Sequence, residues 1–321
     1  MRIHISGPGF SERQDLSQFT GNSSGEIDGC RITMGGNFAE ESDAWFVVED
    51  TAQDLETRPV PPRQLHFLSA ETAWEKGKFL SREKTLFLKQ FDSVYTFYPT
   101  RIRGATFAPP FLPWMVNANH GSVFHPHRRD VNFLRKLDTV EKTQKLSMFC
   151  SNQAWLPGHR RRLEFAAAAK QYFGDDLVWF GNGVNQVDEK WDGLAQFKRT
   201  IVLENNDYPG VFSEKIMDPY LTLTQPFFAG GAGITASFPL MRQQILDLSD
   251  FKSSLGQISH LIDEEVSEED FSAILRGKYL VLEKYHFLKR ICNIAKSVQS
   301  IHKSTKSMSY RTVRTRNSFT T

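Results

Sequence analysis

The sequence predicts an α/β fold made of two Rossmann-like domains, because of its strand–helix alternation, its length and a proline-rich interruption. Short apolar runs alternate with helical patterns at close spacing, which is typical of parallel sheets covered by helices. A chain of 321 residues exceeds the size that one hydrophobic core usually serves. Three prolines within 108–113 exclude regular structure there. We therefore expect a first α/β domain over 1–141, a second over 142–285, and a terminal helix with a basic tail over 286–321.

The first predicted domain consists of short strands and an amphipathic helix. The N-terminal residues predict a strand that runs into a Gly-Pro turn at residues 7–8. Apolar and β-branched clusters predict further strands at 31–34, 44–48, 64–68 and 94–97. Apolar residues at helical spacing predict a helix over 83–91. We expect residues 106–141 to form an irregular surface segment that connects the domains.

The second predicted domain repeats the alternation more regularly. Its strands are predicted at 146–150, 177–180, 200–203 and 226–228. Its helices are predicted at 160–173, which is Ala-rich and ends before Gly174, and at 212–223. A helical pattern continues from about 268 to 301. Residues 304–321 are rich in Ser, Thr and Arg, which predicts a disordered end.

The composition restricts the classes of function and the compartment. The formal net charge is only +2, so the chain as a whole is not built to bind a polyanion. Nine Lys or Arg residues follow Glu283, the last acidic residue, and form a basic tail on a near-neutral body. The three cysteines are far apart and form no CxxC pair, which argues against a disulfide framework or a zinc site. We expect a cytoplasmic protein that either is free or lies peripherally on the inner membrane.

The segment from Thr200 to Gly231 contains the strongest functional signal. A buried strand ends in Glu204 and Asn205, and after a loop Ser213 is a plausible N-cap with Glu214 and Lys215 in the first helical turn. Anions bind where a parallel strand leads into a helix N-terminus, because free N–H groups and the helix dipole point there. A lysine beside such a turn suits a diphosphate. The alternative is that Glu214 and Lys215 only solvate the first turn of a helix.

This segment resembles the signature of the α-1,3/4-fucosyltransferases, in particular their bacterial members. The family pattern has a strand, a Glu-Asn pair, a loop, Thr-Glu-Lys, a helix and a Pro-containing strand before Gly. The matching positions are Glu204, Asn205, Ser213, Glu214, Lys215, Pro226 and Gly230. The resemblance implies two domains facing across a cleft (the GT-B type) and an inverting transfer of fucose from GDP-fucose to a glycan hydroxyl. The expected acceptor is a surface polysaccharide or lipopolysaccharide.

The segment also departs from the family around the donor sugar. Leu203 replaces a Phe, Asn206 replaces a Ser, and Val211 replaces an aromatic residue that lies near the donor in the family. Ala229 stands where Trp is frequent. We keep Val211 among the expected donor-binding positions. A related glycosyltransferase that uses another nucleotide sugar therefore remains an alternative.

Further site residues follow from weaker parts of the resemblance. In the family an arginine at the start of a helix contacts the donor phosphates, and Arg161 or Arg162 matches it. Glu71, after the predicted strand 64–68, matches the carboxylate presumed to be the catalytic base. Protein cations can replace a metal at the diphosphate, and no Asp-x-Asp signature is evident, so we expect no metal requirement. Three histidines in the connection suggest either acceptor-cleft or surface residues, or a metal site: His120, His125 and His127.

The tail has two interpretations. It attracts anionic lipid headgroups, each Lys or Arg contributing about 1 kcal/mol near the surface, or it is an inert solvated end. The expected partners are a nucleotide sugar, a glycan acceptor and an anionic membrane surface, without nucleic acid. The hypothesis of a different class is a non-catalytic α/β protein that binds membranes or nucleic acid through this tail.

Overall fold

The computed structural model describes residues 1–10, 15–35, 41–70, 80–117, 129–301 and 308–319. Within these ranges the strands, in chain order, are β1 (Arg2–Ser6), β2 (Glu26–Ile27), β3 (Cys30–Met34), β4 (Ala44–Val48), β5 (Leu55–Val60), β6 (Leu65–Leu68), β7 (Ser93–Thr96), β8 (Thr106–Phe107), β9 (Gln144–Phe149), β10 (Leu177–Phe180), β11 (Phe197–Leu203), β12 (Gln225–Ala229) and β13 (Ser309–Arg314). The helices are α1 (Ser17–Thr20), α2 (Arg82–Leu88), α3 (Val131–Lys136), α4 (Pro157–Phe173), α5 (Glu214–Leu221), α6 (Phe251–Leu261), α7 (Glu268–Tyr279) and α8 (Phe287–Ile301). Among the helices so described, none has both the length and the apolar composition needed to cross a bilayer.

The chain divides into two compact units at boundaries that differ from the predicted ones. The first unit contains Met1–Leu112 and His286–Thr321, and the second contains Pro113–Tyr285. The predicted boundary at 141 lies too late, because residues after 112 join the second unit: the Met115 N–H donates to Asp218 at 2.7 Å. The terminal segment 286–321 is part of the first unit and not a separate region.

The first unit contains a seven-stranded sheet in the order β2-β3-β1-β4-β6-β7-β8. All neighbouring pairs are parallel except β2 and β3. The central strand β4 is buried along its whole length, as is typical of a strand covered on both faces. Ser81 caps α2 by accepting the Lys84 N–H at 3.1 Å. The strands predicted near 31–34, 44–48, 64–68 and 94–97 are confirmed.

A separate two-stranded ribbon shows that the expectation of a disordered tail is wrong for the described residues. Strand β13 pairs antiparallel with β5, with Ser309 opposite Val60 and Arg314 opposite Leu55. Val313 is fully buried, and the Arg311 guanidinium donates to both carboxylate oxygens of Asp92 at 2.9 Å. The tail is ordered because its backbone donors and acceptors complete a strand pair.

The second unit is a doubly wound parallel sheet in the order β10-β9-β11-β12. Strand β10 lies on one side of β9, and the chain then crosses back to form β11 on the other side of β9. The direction of winding therefore reverses between β9 and β11. Open α/β sheets bind ligands at the carboxyl ends of the strands at such a switch point. Two units built on parallel sheets with helices confirm the predicted α/β class.

Two irregular segments differ from the predictions. The pattern over 268–301 is interrupted: α7 passes into a π-helical turn at Leu280–Lys284 before α8 begins. Tyr285, at this break, is buried against Phe212 and Phe238. The connection 106–141 is not a surface segment in its described part, because Phe111, Trp114 and Val116 are buried. His120, His125 and His127 lie outside the described residues.

Candidate functional site

The switch point of the second unit brings together the ends of β9 and β11 and the first turns of α4. Ser151 follows β9 and Asn205 follows β11, and Arg162 connects them. Its guanidinium donates to Asn205 Oδ1 at 2.7 Å and to Ser151 Oγ at 3.0 Å. Arg162 is 4% exposed, whereas the neighbouring Arg161 is exposed. Of the two arginines that the sequence left as alternatives, Arg162 lies at this site.

Arg162 holds a buried charge without a carboxylate partner in the described part of the chain. Both oxygens that accept its hydrogen bonds are neutral, and its Nε has no hydrogen-bond partner. Buried charges are normally paired, because removing a charge from water is costly. The arrangement is therefore suited to an anion that completes the arginine's environment.

The start of α4 lies directly against the end of β11. A Cβ atom on Gly158 would stand 2.0 Å from the Asn205 carbonyl oxygen, so only glycine fits this approach. Leu156 provides no side-chain cap, Pro157 has no N–H, and no acidic residue lies in the first turn. Positive charge at a helix N-terminus opposes the helix dipole, and an anion there relieves the conflict. Gly158 was not among the predicted site residues, although a Pro-Gly pair at the start of a helix is visible in the sequence.

The carboxylate of Glu204 holds the N-cap residue of α5 in place. This buried carboxylate accepts the Ser213 N–H at 2.7 Å and the Ser213 hydroxyl at 2.8 and 2.9 Å. Ser213 in turn caps α5 and accepts from the Lys215 N–H at 3.3 Å and from Lys215 Nζ at 3.1 Å. Glu204 therefore fixes the start of α5, and Lys215 with it, at the end of β11.

Lys215 lies within a row of alternating charges. Its Nζ is 3.7 Å from Glu204 and 3.4 Å from Glu214, and Lys190 Nζ lies 3.9 Å from Glu214 and 2.9 Å from Asp218. Burial lowers the pKa of Lys215, but the charges of Glu214 and Glu204 outweigh it, and the net shift is upward. The ammonium form of Lys215 is therefore stabilised. Lys190 was missed, because no local pattern marks a lysine in an irregular loop.

The pKa values of Glu214 and Asp218 are shifted in opposite directions. Burial raises the pKa of Glu214, but the charges of Lys215 and Lys190 prevail and bring it to about 2. Burial, together with the charge of Glu214, raises the pKa of Asp218 despite the opposing effect of Lys190. Asp218 also accepts the Met115 N–H. Glu214 is thus held as an anion, and its charge stabilises the protonated form of Lys215.

The loop between β11 and α5 is closely packed. A Cβ on Gly231 would lie 1.8 Å from the Tyr208 carbonyl oxygen, so the loop lies directly on the turn after β12. The Tyr208 N–H donates to Asn206 Oδ1 at 3.1 Å. Val211, an expected donor-binding position, is 2% exposed and donates its N–H to the Tyr208 carbonyl. Its side chain is therefore packed inside the unit.

The predicted base Glu71 lies outside the described residues, but the preceding residues are described. After β6, Ser69 Oγ and the Ala70 N–H donate to the Glu49 carboxylate at 3.0 and 2.6 Å. Glu49 has a positive φ of 65°, and its Oε2 lies 3.8 Å from Lys84 Nζ. The role of Glu71 stays a prediction. In the described ranges, no group of three or more His, Cys, Asp or Glu residues is placed to hold a metal ion.

Three tryptophans of the second unit, at positions 155, 179 and 191, could stack on a sugar ring, and they differ in exposure. Trp179 donates its Nε1–H to the Cys150 carbonyl at 2.7 Å, and Trp191 packs against the Arg129 guanidinium and the Phe133 ring. Trp155, in the loop between β9 and α4, is 79% exposed. Only Trp155 of these three has most of its surface available to a ligand.

Comparisons with known proteins give structural likenesses only. Neither the models of protein families nor the curated proteins yield a match. A crystal structure of an α1,3-fucosyltransferase with GDP-fucose shares 15% identity at a TM-score of 0.46, covering 88% of this chain and 90% of the other. A crystal structure of TarM shares 11% sequence identity at a TM-score of 0.44, and the match covers 78% of this chain and 50% of the other. A crystal structure of the pneumococcal O-GlcNAc transferase GtfA in complex with UDP and GlcNAc shares 10% sequence identity at a TM-score of 0.41. This match covers 79% of this chain and 52% of the other. These values do not assign the chain to a family.

Proposed function

We propose that this chain is an inverting glycosyltransferase that transfers fucose from GDP-fucose to a hydroxyl group of a glycan, such as a surface polysaccharide or lipopolysaccharide. One observation carries the proposal: the buried guanidinium of Arg162 has only neutral partners at the switch point, beside the uncapped start of α4. The resemblance of residues 200–231 to the α-1,3/4-fucosyltransferases supports a nucleotide diphosphate as this anion.

The cations explain how the leaving group is stabilised. Negative charge grows on the diphosphate as the bond to the anomeric carbon breaks, and preorganised cations lower that barrier. Two unit charges 4 Å apart attract by about 4 kcal/mol at an effective dielectric constant of 20. Arg162 offers a donor fork to the phosphate oxygens. Lys215 offers an ammonium held in place by Ser213, Glu204 and Glu214.

In the proposed reaction Glu71 acts as the base. The acceptor hydroxyl oxygen attacks the anomeric carbon from the face opposite the diphosphate, its proton passes to the Glu71 carboxylate, and the nucleotide diphosphate leaves with the bonding electron pair. Since Arg162 and Lys215 neutralise the leaving group, we expect full activity in EDTA. Activity that is lost in EDTA and restored by Mn²⁺ would contradict this part of the proposal.

A nucleotide screen tests the proposal. A ligand that binds only the native state stabilises it, by about 2.7 kcal/mol when the ligand is in hundredfold excess over Kd. The melting temperature of the protein rises as a result. We expect GDP to raise the melting temperature and UDP, CDP and CMP to have smaller effects. Lys215→Ala should abolish the GDP shift, whereas Glu71→Ala should keep the shift and lose fucosyl transfer. A native protein that no nucleotide stabilises would refute the proposal.

The burial of Val211 favours one second candidate, a transferase for another nucleotide sugar. The family has an aromatic residue near the donor at this position, whereas Val211 is packed inside the unit. The surroundings of the donor sugar therefore differ in chemistry. Stabilisation by UDP or CDP in place of GDP would favour this candidate. The cytoplasmic location and a peripheral contact with the inner membrane stay predictions.

A further inference from the structure

Trp155 is an exposed aromatic side chain that the proposed function leaves unexplained. Its side chain is 79% exposed, although tryptophan is highly buried on average in folded proteins. Its large apolar surface makes aromatic contacts favourable, and an exposed ring of this size is typical of binding sites. The position of Trp155 in the fold indicates which part of a ligand its ring would contact.

The loop that contains Trp155 borders the diphosphate site at both ends. Ser151, at its start, accepts a hydrogen bond from Arg162, and Gly158, just after it, lies against the Asn205 carbonyl. Three residues of extended chain span at most about 11 Å, so the Trp155 Cα lies within that distance of the Gly158 Cα. Arg160 Nη1 donates to the Ala154 carbonyl at 3.4 Å and ties the loop to α4.

The other neighbour of this loop is the turn after β10, which presents amide groups. The Asn152 N–H donates to the Asn182 carbonyl at 3.1 Å, and a Cβ on Gly183 would stand 2.1 Å from the Asn152 side-chain nitrogen. Asn182, Asn185 and Gln186 in this turn are all exposed. Side-chain amides both donate and accept hydrogen bonds, which suits the edge of a nucleobase.

We propose that Trp155 is the stacking platform for the nucleobase of the bound nucleotide, with the amides of the β10 turn facing the edge of that base. The inference rests on the proposed function, because the diphosphate at Arg162 and Lys215 anchors the same ligand. A base is favoured over a glycan as the occupant because Trp155 and the amide-rich turn adjoin the phosphate site within one unit.

The test compares the full-length protein with three variants by isothermal titration with GDP and with inorganic pyrophosphate. Stacking of a base on an aromatic side chain contributes about 1–3 kcal/mol, so Trp155→Ala should weaken GDP binding about 5- to 150-fold. Pyrophosphate has no base, and its affinity should stay within about twofold. Trp155→Phe should retain most of the GDP affinity.

The matched control is Tyr172→Ala. Tyr172 is 57% exposed on the same helix that follows the loop, and fourteen helical residues place it about 21 Å from Gly158. It should bind GDP like the unaltered protein. A parallel fluorescence titration should show quenching by GDP that Trp155→Phe removes.

The outcomes separate this inference from the proposed function. If the unaltered protein binds GDP and Trp155→Ala binds it equally well, the platform is refuted and the proposed function stands. If Trp155→Ala weakens pyrophosphate as much as GDP, the residue supports the loop and does not contact a base, which also refutes the platform. If the unaltered protein binds neither GDP, UDP, CDP nor CMP, the proposed function fails and the platform with it.

Discussion

At the scale of single residues, two adjacent arginines have different environments. Successive helical residues are rotated by about 100°, so Arg162 points into the unit while Arg161 remains exposed. Burying a guanidinium with only neutral partners costs stability. The chain tolerates this cost because the guanidinium also joins the ends of β9 and β11 through Ser151 and Asn205. For the same reason, an anion that binds at this guanidinium would stabilise the fold.

The first prediction concerns the geometry of this guanidinium. Arg162→Lys keeps a positive charge but loses the planar guanidinium. Its several N–H donors can bind phosphate while they also donate to the side-chain oxygens of Asn205 and Ser151. Hydrogen bonds to charged groups contribute about 1.5–3 kcal/mol, so GDP affinity should fall about 10- to 150-fold in isothermal titration. Arg161→Lys is the matched control and should bind within about twofold of the unaltered protein. Equal losses in both variants would contradict the assignment of Arg162.

The second prediction concerns acid stability. The folded-state pKa of Glu214 is about 2, below its ordinary value of 4.5, because the charges of Lys215 and Lys190 overcome the effect of burial. Its ionised form therefore stabilises the fold above pH 4.5, and this contribution is lost as pH falls toward 2. Linkage limits the contribution to about 3 kcal/mol.

Glu214→Gln should therefore reduce the urea midpoint at pH 7 and flatten its decline between pH 4.5 and 2. The difference between the two proteins should shrink steadily through this window. Glu164→Gln, on the exposed face of α4, is the control and should follow the unaltered profile. A constant difference from pH 7 to pH 2 would show that the charge of Glu214 does not contribute in this way.

At the scale of elements, the site depends on how closely α4 approaches β11. Gly158 permits that approach, since a Cβ there would overlap the Asn205 carbonyl. The third prediction is that Gly158→Ala displaces the first turn of α4, weakens GDP binding at least tenfold, and destabilises the second unit by about 1–3 kcal/mol through overpacking.

Gly256→Ala provides the contrast for this prediction. Gly256 lies in α6, where a Cβ would have no atom within 4 Å. Alanine there should stabilise the protein by about 0.5–1 kcal/mol through helix propensity and leave GDP binding unchanged. Chemical denaturation and titration of both variants measure the two effects. A Gly158→Ala protein that binds GDP normally would show that the close contact is dispensable.

The elements also show what the sequence could and could not predict. Strands of the parallel sheets were predictable, because β4 and residues 201–203 of β11 are apolar runs that match their burial. Strand β5 was not predicted, because its sequence Leu-Glu-Thr-Arg-Pro-Val contains charges and a proline and it pairs with a strand about 250 residues away. Pairing at that separation leaves no local pattern.

The same distinction applies to the site. Glu204, Ser213 and Lys215 lie within one strand–loop–helix segment, so their proximity followed from local order. Lys190 reaches Glu214 and Asp218 from a different loop, and only the folded sheet brings it there. The break between α7 and α8 was missed because both helices are amphipathic, and their apolar residues continue the same pattern across the π-helical turn.

At the scale of the whole molecule, the C-terminal cations are partly used within the first unit. Arg311 is paired with Asp92, and Arg290 donates to the carbonyls of Pro109 and Pro110. Arg316 lies 3.9 Å from Asp50. Charges engaged in this way contribute less to a membrane contact than charges on a free tail. The hypothesis of a binding protein that acts only through a flexible basic tail is weakened for the described residues.

The last prediction tests which cations reach a membrane. We expect the full-length chain to sediment with vesicles rich in anionic lipid. Arg314 is exposed on the same strand as the partly buried Arg311, so the two form a matched pair. Each cation near the surface contributes about 1 kcal/mol, and Arg314→Gln should therefore weaken vesicle binding about fivefold at low salt. Arg311→Gln should change it much less, because Asp92 already neutralises this charge, and should instead lower the melting temperature of the chain. Equal weakening by both variants would mean that the ribbon opens at the membrane, and the absence of any binding would mean that the tail serves only the fold of the first unit.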